Sequence, residues 1–106
     1  MKTIMLVCNA GMSTSMMVTK MKEAAEKKGL EVDIFAVPSS GANENLENKD
    51  IDVLLLGPQV RYMEKDYTDK LAGTITKVAV IDMMLYGQMN GEAVLDSAYN
   101  LMNEGN

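Results

Sequence analysis

Two short stretches, Thr3 to Val7 and Asp52 to Leu56, run apolar past their first residue with no polar alternation. A run of that kind marks a strand covered on both faces, because neither face is left for water. Each is followed by apolar residues at helical spacing. Between Ser13 and Lys28, Met17, Met21, Ala24 and Ala25 fall at i, i+4, i+7 and i+8, while Lys20, Lys22, Glu23, Glu26 and Lys27 take the opposite side. Between Gln59 and Leu71, the residues Val60, Met63, Tyr67 and Leu71 share a face. Buried strands alternating with amphipathic helices predict an α/β fold with a parallel sheet and helices on both faces, and right-handed crossovers restrict its topology.

The remaining segments complete that pattern. Leu30 to Val37 alternates Glu31 and Asp33 against Val32 and Ile34, as an edge strand with one wetter face does, and Pro38 stops it. Ser39 to Asp50 is polar and reads as a loop with at most one helical turn near Asn43 to Glu47. Val78 to Ile81 is the last strand. A loop from Asp82, containing Tyr86-Gly87 and Asn90-Gly91, then leads to a helix over about Glu92 to Met102. Ser13, Thr14 and Ser15 each offer an N-cap oxygen for the first helix, and Gly29 suits the left-handed residue that ends it. With the two unbroken strands central, the expected sheet is open and four-stranded in the order 2-1-3-4, within one domain over residues 1–106.

Composition narrows the function. The formal charge is −5, from 10 Lys+Arg against 15 Asp+Glu, and no basic cluster is long enough to follow a phosphate backbone, so a nucleic-acid partner is not expected. One cysteine allows no intramolecular disulfide. With no histidine, the commonest general base and metal ligand is missing and a zinc site is not expected. No apolar stretch approaches the roughly 20 residues of a membrane span, and the first residues are too soon polar for a signal peptide, so a cytoplasmic location is the expectation.

The single cysteine stands at a telling place. Cys8 follows the apolar run Ile4-Met5-Leu6-Val7 and precedes Asn9-Ala10-Gly11-Met12-Ser13-Thr14-Ser15, a small-polar loop leading into a helix. Loop amides and a helix N-terminus together form an anion-binding cup at a strand end. Their field also stabilises negative charge on sulfur, and the thiolate is the nucleophilic form. The topological switch between strands 1 and 3 brings Cys8, Gly57-Pro58-Gln59 and Asp82 to one rim. A phosphoryl group carried on Cys8 is therefore the leading reading, with Asn9 to Ser15 as its phosphate-binding loop. Cysteine phosphatases place an arginine six positions after the cysteine, where it clamps phosphate oxygens. That position here is Thr14, which favours transfer over hydrolysis.

Three motifs together resemble a known family. Cys8-Asn9-Ala10-Gly11-Met12-Ser13-Thr14-Ser15, Leu55-Leu56-Gly57-Pro58-Gln59-Val60 and Val80-Ile81-Asp82-Met83-Met84-Leu85-Tyr86-Gly87 are similar to the enzyme IIB component of the phosphoenolpyruvate-dependent sugar phosphotransferase system, in its lactose/cellobiose (N,N′-diacetylchitobiose) family. The resemblance spans nearly the whole chain. It implies a four-stranded parallel sheet and a catalytic Cys8. It also implies a relay, in which a phosphohistidine on a IIA protein phosphorylates Cys8 and Cys8 passes the group to a sugar bound by the membrane component IIC. The site would then lie at the inner face of the membrane. Cellobiose, chitobiose and lactose all stay open, and the chemistry demands neither metal nor cofactor.

Plainer readings stand beside these. A lone cysteine is commonly a small buried hydrophobe, and Ser13 to Ser15 are routine helix caps. Gly57-Pro58 makes a turn, Asp82 suits a turn or cap better than general acid work, and Tyr86-Gly87 suits loop packing. Gln59 is within reach of a phosphate or partner, while Arg61 and Tyr62 read either as solvated or as partner contacts. The 11 methionines read mostly as core filler, with Met12 and Met16 candidates for an adaptable contact surface. A small phosphotyrosine phosphatase is the alternative enzyme. A regulatory or flavin-binding α/β module is a third class, disfavoured because the first strand ends in Cys8 without an aspartate cluster.

Overall fold

A strand that buries both faces divides its side chains between two cores, and β1 (Lys2–Cys8) does so. Ile4 and Leu6 point into one cluster with Val53 and Leu55. Met5 and Val7 point into the other with Leu54 and Leu56. This is the physical content of the two unbroken apolar runs. The computed structural model, which describes residues 1–9 and 11–103 with the backbone alone at 11–13, pairs β1 with β2 (Val32–Pro38) and with β3 (Val53–Leu56), and β3 with β4 (Lys77–Val80). All pairings are parallel, and the order is β2-β1-β3-β4, as expected from the sequence. The half-wet second strand is indeed at an edge.

Helices cover both faces. On one lie α1 (Gly11–Lys28), α4 (Met83–Gly87) and α5 (Gly91–Met102), contributing Met17, Met21, Ala24, Ala25, Tyr86, Val94, Leu95 and Ala98 to the first core. On the other lie α2 (Ala42–Asn48) and α3 (Glu64–Lys70), with Ala42, Val60 and Tyr67 in the second core. The end of α1 is closed by Gly29 at φ +70, with Gly29 N–H donating to Glu26 O at 3.1 Å and Leu30 N–H to Ala25 O at 2.9 Å. That double bond is the Schellman arrangement, and glycine adopts its left-handed turn without the Cβ penalty. Lys28 then reaches α5, 3.4 Å from Glu92 and 3.6 Å from Asp96.

Four local features differ from the sequence expectations. The first helix begins at Gly11, so Ser13 to Ser15 lie inside it instead of capping it. Thr14 and Met17 are both fully buried, and their packing carries helical structure up to the strand end. The polar stretch after β2 holds a 3-10 turn (Ser39–Gly41) and the two-turn α2, because Ala42 is completely buried and Asn45 Nδ2 donates to Gly41 O at 2.9 Å. The segment after β3 is divided at Val60 (φ −117, ψ 22) into a 3-10 stretch (Pro58–Met63) and α3, while keeping its predicted apolar face. The loop after Asp82 contains α4, whose first turn Asp82 caps.

Candidate functional site

The sheet register brings the strand ends together. Val7 pairs with Leu56, and Leu56 with Val80. One row further, Cys8 sits beside Pro38, Gly57 N–H donates to Val7 O at 2.9 Å and Ile81 N–H donates to Leu56 O at 2.8 Å. Cys8 is therefore the last strand residue, and only 2% of its surface is exposed. The 18-residue α1 starts three positions later, and the first four N–H groups of a helix have no partner within it. In α1 those include the amides of Gly11, Met12 and Ser13. The macrodipole adds positive potential at the same place.

Gly57 forms one wall. A Cβ built there would lie 3.7 Å from Cys8 Cβ, 3.5 Å from Val7 O and 3.0 Å from Gln59 Oε1. The chain thus passes close beside the cysteine, and the exposed Gln59 folds its carboxamide back against Gly57. Of the rim residues named from sequence, Gly57 is the one this geometry places beside Cys8, with Gln59 against it. Arg61 is exposed. Asp82 Oδ1 accepts from Met84 N–H at 2.9 Å and from Leu85 N–H at 3.1 Å, which makes it the N-cap of α4.

The predicted phosphate loop divides. Asn9 and Ser15 are exposed. Ala10, and the side chains of Gly11, Met12 and Ser13, lie outside the described residues. Thr14 turns inward: it is completely buried, and its Oγ1 lies 3.3 Å from Tyr86 Oη. Tyr86 was legible in the sequence only as loop packing, since its partner is 72 residues away. The sequence does carry one sign of it, a capping aspartate four positions before an aromatic.

The methionines also divide. Met5, Met17 and Met21 are fully buried, but Met16, Met83 and Met84 are 56%, 62% and 70% exposed, and Tyr62 is 72% exposed. Met16 is on the second turn of α1, Tyr62 on the 3-10 stretch after β3, and Met83 and Met84 on the first turn of α4. All follow carboxyl ends of adjacent strands, so large apolar side chains surround the cysteine end of the sheet.

Chemically, this is a buried thiol at the end of a strand that leads into a helix N-terminus, with a threonine hydroxyl turned into the core at the position where hydrolysis would require a cation. Comparison with known proteins gives the chain a family. The sequence profile described as PTS system, Lactose/Cellobiose specific IIB subunit, matches residues 3–97. The chain is 40% identical over 102 residues to the PTS system oligo-beta-mannoside-specific EIIB component of Bacillus subtilis, covering 96% of this chain and 97% of that protein. It is 43% identical over 105 residues to the PTS system galactose-specific EIIB component of Lactococcus lactis, covering 96% and 97% respectively. The solution structure of a cellobiose-specific phosphotransferase IIB component from Borrelia burgdorferi superposes with a TM-score of 0.76 at 36% identity, over 96% of this chain and 92% of that one. These three relatives name three different sugars.

Proposed function

The chain belongs to the lactose/cellobiose-specific IIB subunit family of the sugar phosphotransferase system, and from that premise we propose that Cys8 is its phosphoryl acceptor and donor. IIB components of this system are phosphotransferases that work with IIA and IIC partners. In the first step the Cys8 thiolate attacks the phosphorus of a phosphohistidine on IIA: the S–P bond forms, the N–P bond breaks and the imidazole leaves. In the second, a hydroxyl of a disaccharide held by IIC attacks the phosphocysteine. The O–P bond forms, the S–P bond breaks, the hydroxyl proton is released to solvent, and the thiolate is restored.

The α1 amides meet the charge of the transferring group, and positioning with electrostatic stabilisation is most of what phosphoryl transfer needs. The observation that carries the reading is Thr14. Its burial against Tyr86, at the place of a phosphatase's clamping arginine, leaves a phosphocysteine held by amides with no fixed side-chain cation at that position to hasten its hydrolysis. Docking of IIA, and then of IIC at the inner membrane face, falls to the rim bearing Met16, Tyr62, Met83 and Met84. No helix among the described residues is long and apolar enough to cross a membrane, which suits a partner that visits IIC. The sugar, of cellobiose, chitobiose or lactose type, is chosen where it is bound, in IIC.

Incubation with phosphorylated IIA followed by intact-mass measurement tests the assignment. The native chain is expected to gain one phosphoryl group and Cys8→Ser none. An undiminished gain in Cys8→Ser, or none in the native chain, overturns it. Steady release of phosphate from an aryl phosphate would revive the phosphatase alternative.

A further inference from the structure

Tyr86 is 8% exposed, although Met83 and Met84 on the same short helix face solvent. Its ring joins the core that contains Met17, Ile81 and Val94. Its hydroxyl meets the equally inward Thr14 hydroxyl at 3.3 Å, a contact in which either oxygen can donate. A polar pair in an apolar setting persists only when its members satisfy each other. Among the described residues no buried side-chain nitrogen or oxygen lacks a partner. Removing one oxygen of this pair therefore deprives the other of a contact in the core.

The position of the pair matters more than its strength. At the α4 end, Ile81 N–H is tied to β3 through Leu56 O, and Asp82 caps the helix that carries Tyr86. At the other end, Thr14 stands in the first turn of α1, the helix that follows Cys8. A path of hydrogen-bonded backbone and one hydroxyl pair thus runs from the sheet to the anion-facing end of α1. We propose that Tyr86 is a positioning residue for phosphoryl transfer, holding the first turn of α1 at working depth beside Cys8 through the Thr14 hydroxyl. This inference rests on Cys8 being the phosphoryl acceptor. Small displacements of that turn's amides weaken their hold on transition-state charge without changing how the donor protein docks.

A purely structural role would lower the melting temperature and leave the folded protein's turnover intact. The test follows phosphoryl arrival on Cys8 by intact mass at several concentrations of phosphorylated IIA, well below the melting temperature. Tyr86→Phe and Thr14→Val are each expected to lower the maximal rate about five- to tenfold, with half-saturating donor unchanged. The double variant should be no slower than either single, and Thr14→Ser, which keeps the hydroxyl, should stay within about twofold of native. Tyr86→Phe removes one atom and keeps the ring, so it decides the matter even if Thr14→Val fails to fold. Native turnover in Tyr86→Phe, or losses that multiply in the double variant, would overturn the positioning role while leaving the relay intact. A native chain that takes up no phosphoryl group overturns both.

Discussion

At position 14, side-chain size and charge decide which reaction the loop supports. Thr14 is completely enclosed, so an arginine there would bring a guanidinium into apolar core with no carboxylate described beside it. Breaking into a core with an unpaired charge costs about 3 to 5 kcal/mol. Thr14→Arg is therefore expected to lose several kcal/mol in denaturant unfolding and to gain no steady hydrolysis of aryl phosphate. A stable variant that turned over an aryl phosphate would show that the missing arginine alone separates carrier from phosphatase. Cys8 itself was legible at this scale, because a strand-end position can be read from an apolar run and the loop after it. Thr14's direction was not. A hydroxyl next to Ser13 and Ser15 looks like one of three equivalent caps until the phase of the helix against Tyr86 is known.

At the level of elements, the join between α1 and α5 is close at Gly91. A Cβ at Gly91 would lie 2.4 Å from the Lys20 carbonyl carbon and 2.6 Å from Met21 N, both backbone atoms that cannot swing aside. Gly91→Ala must push the two helices apart, with an expected loss of about 2 to 3 kcal/mol measured by chemical denaturation. A neutral outcome would mean that α5 can slide at no cost. The first turn of α4 presents Met83 and Met84 to solvent beside the cysteine end of the sheet, and flexible thioethers suit a surface that meets two partners in turn. Met83→Lys with Met84→Lys is expected to raise the half-saturating concentration of phosphorylated IIA at least about tenfold while the melting temperature barely moves. No change in donor saturation would move the docking surface elsewhere. The strands and the long helices were readable because each has its own period. The short helices were harder to read, α2 showing only as one turn and α4 as a loop, because each turns just two side chains inward, Ala42 and Leu46 or Leu85 and Tyr86, too few to set a period.

Over the whole molecule, alkaline pH acts on several elements in one direction. Lys28 titrates above its ordinary 10.5 because Glu92 accepts a hydrogen bond from it and the charges of Asp96 and Glu92 add to the effect. Its contribution is complete below the unfolded value and disappears as pH rises through the higher folded one. Burial raises Tyr67 above 10.0, and burial together with the charge of Asp52 raises Tyr99. Above about pH 10 the unfolded chain ionises these phenols first, so stability again falls. The melting temperature is expected to stay level up to about pH 10 and to decline beyond it, more gently in a Lys28→Met variant. A level profile throughout would contradict all three shifts. The sequence by itself determined the strand order, the two-faced core and the placing of one thiol at a strand end before a helix, since these follow from local periodicity and chain direction. Only the tertiary structure decided that Thr14 faces Tyr86, that Gln59 folds against Gly57 and that the rim is rich in exposed methionine. Each depends on the relative phase and depth of elements far apart in sequence, which packing sets and local pattern does not.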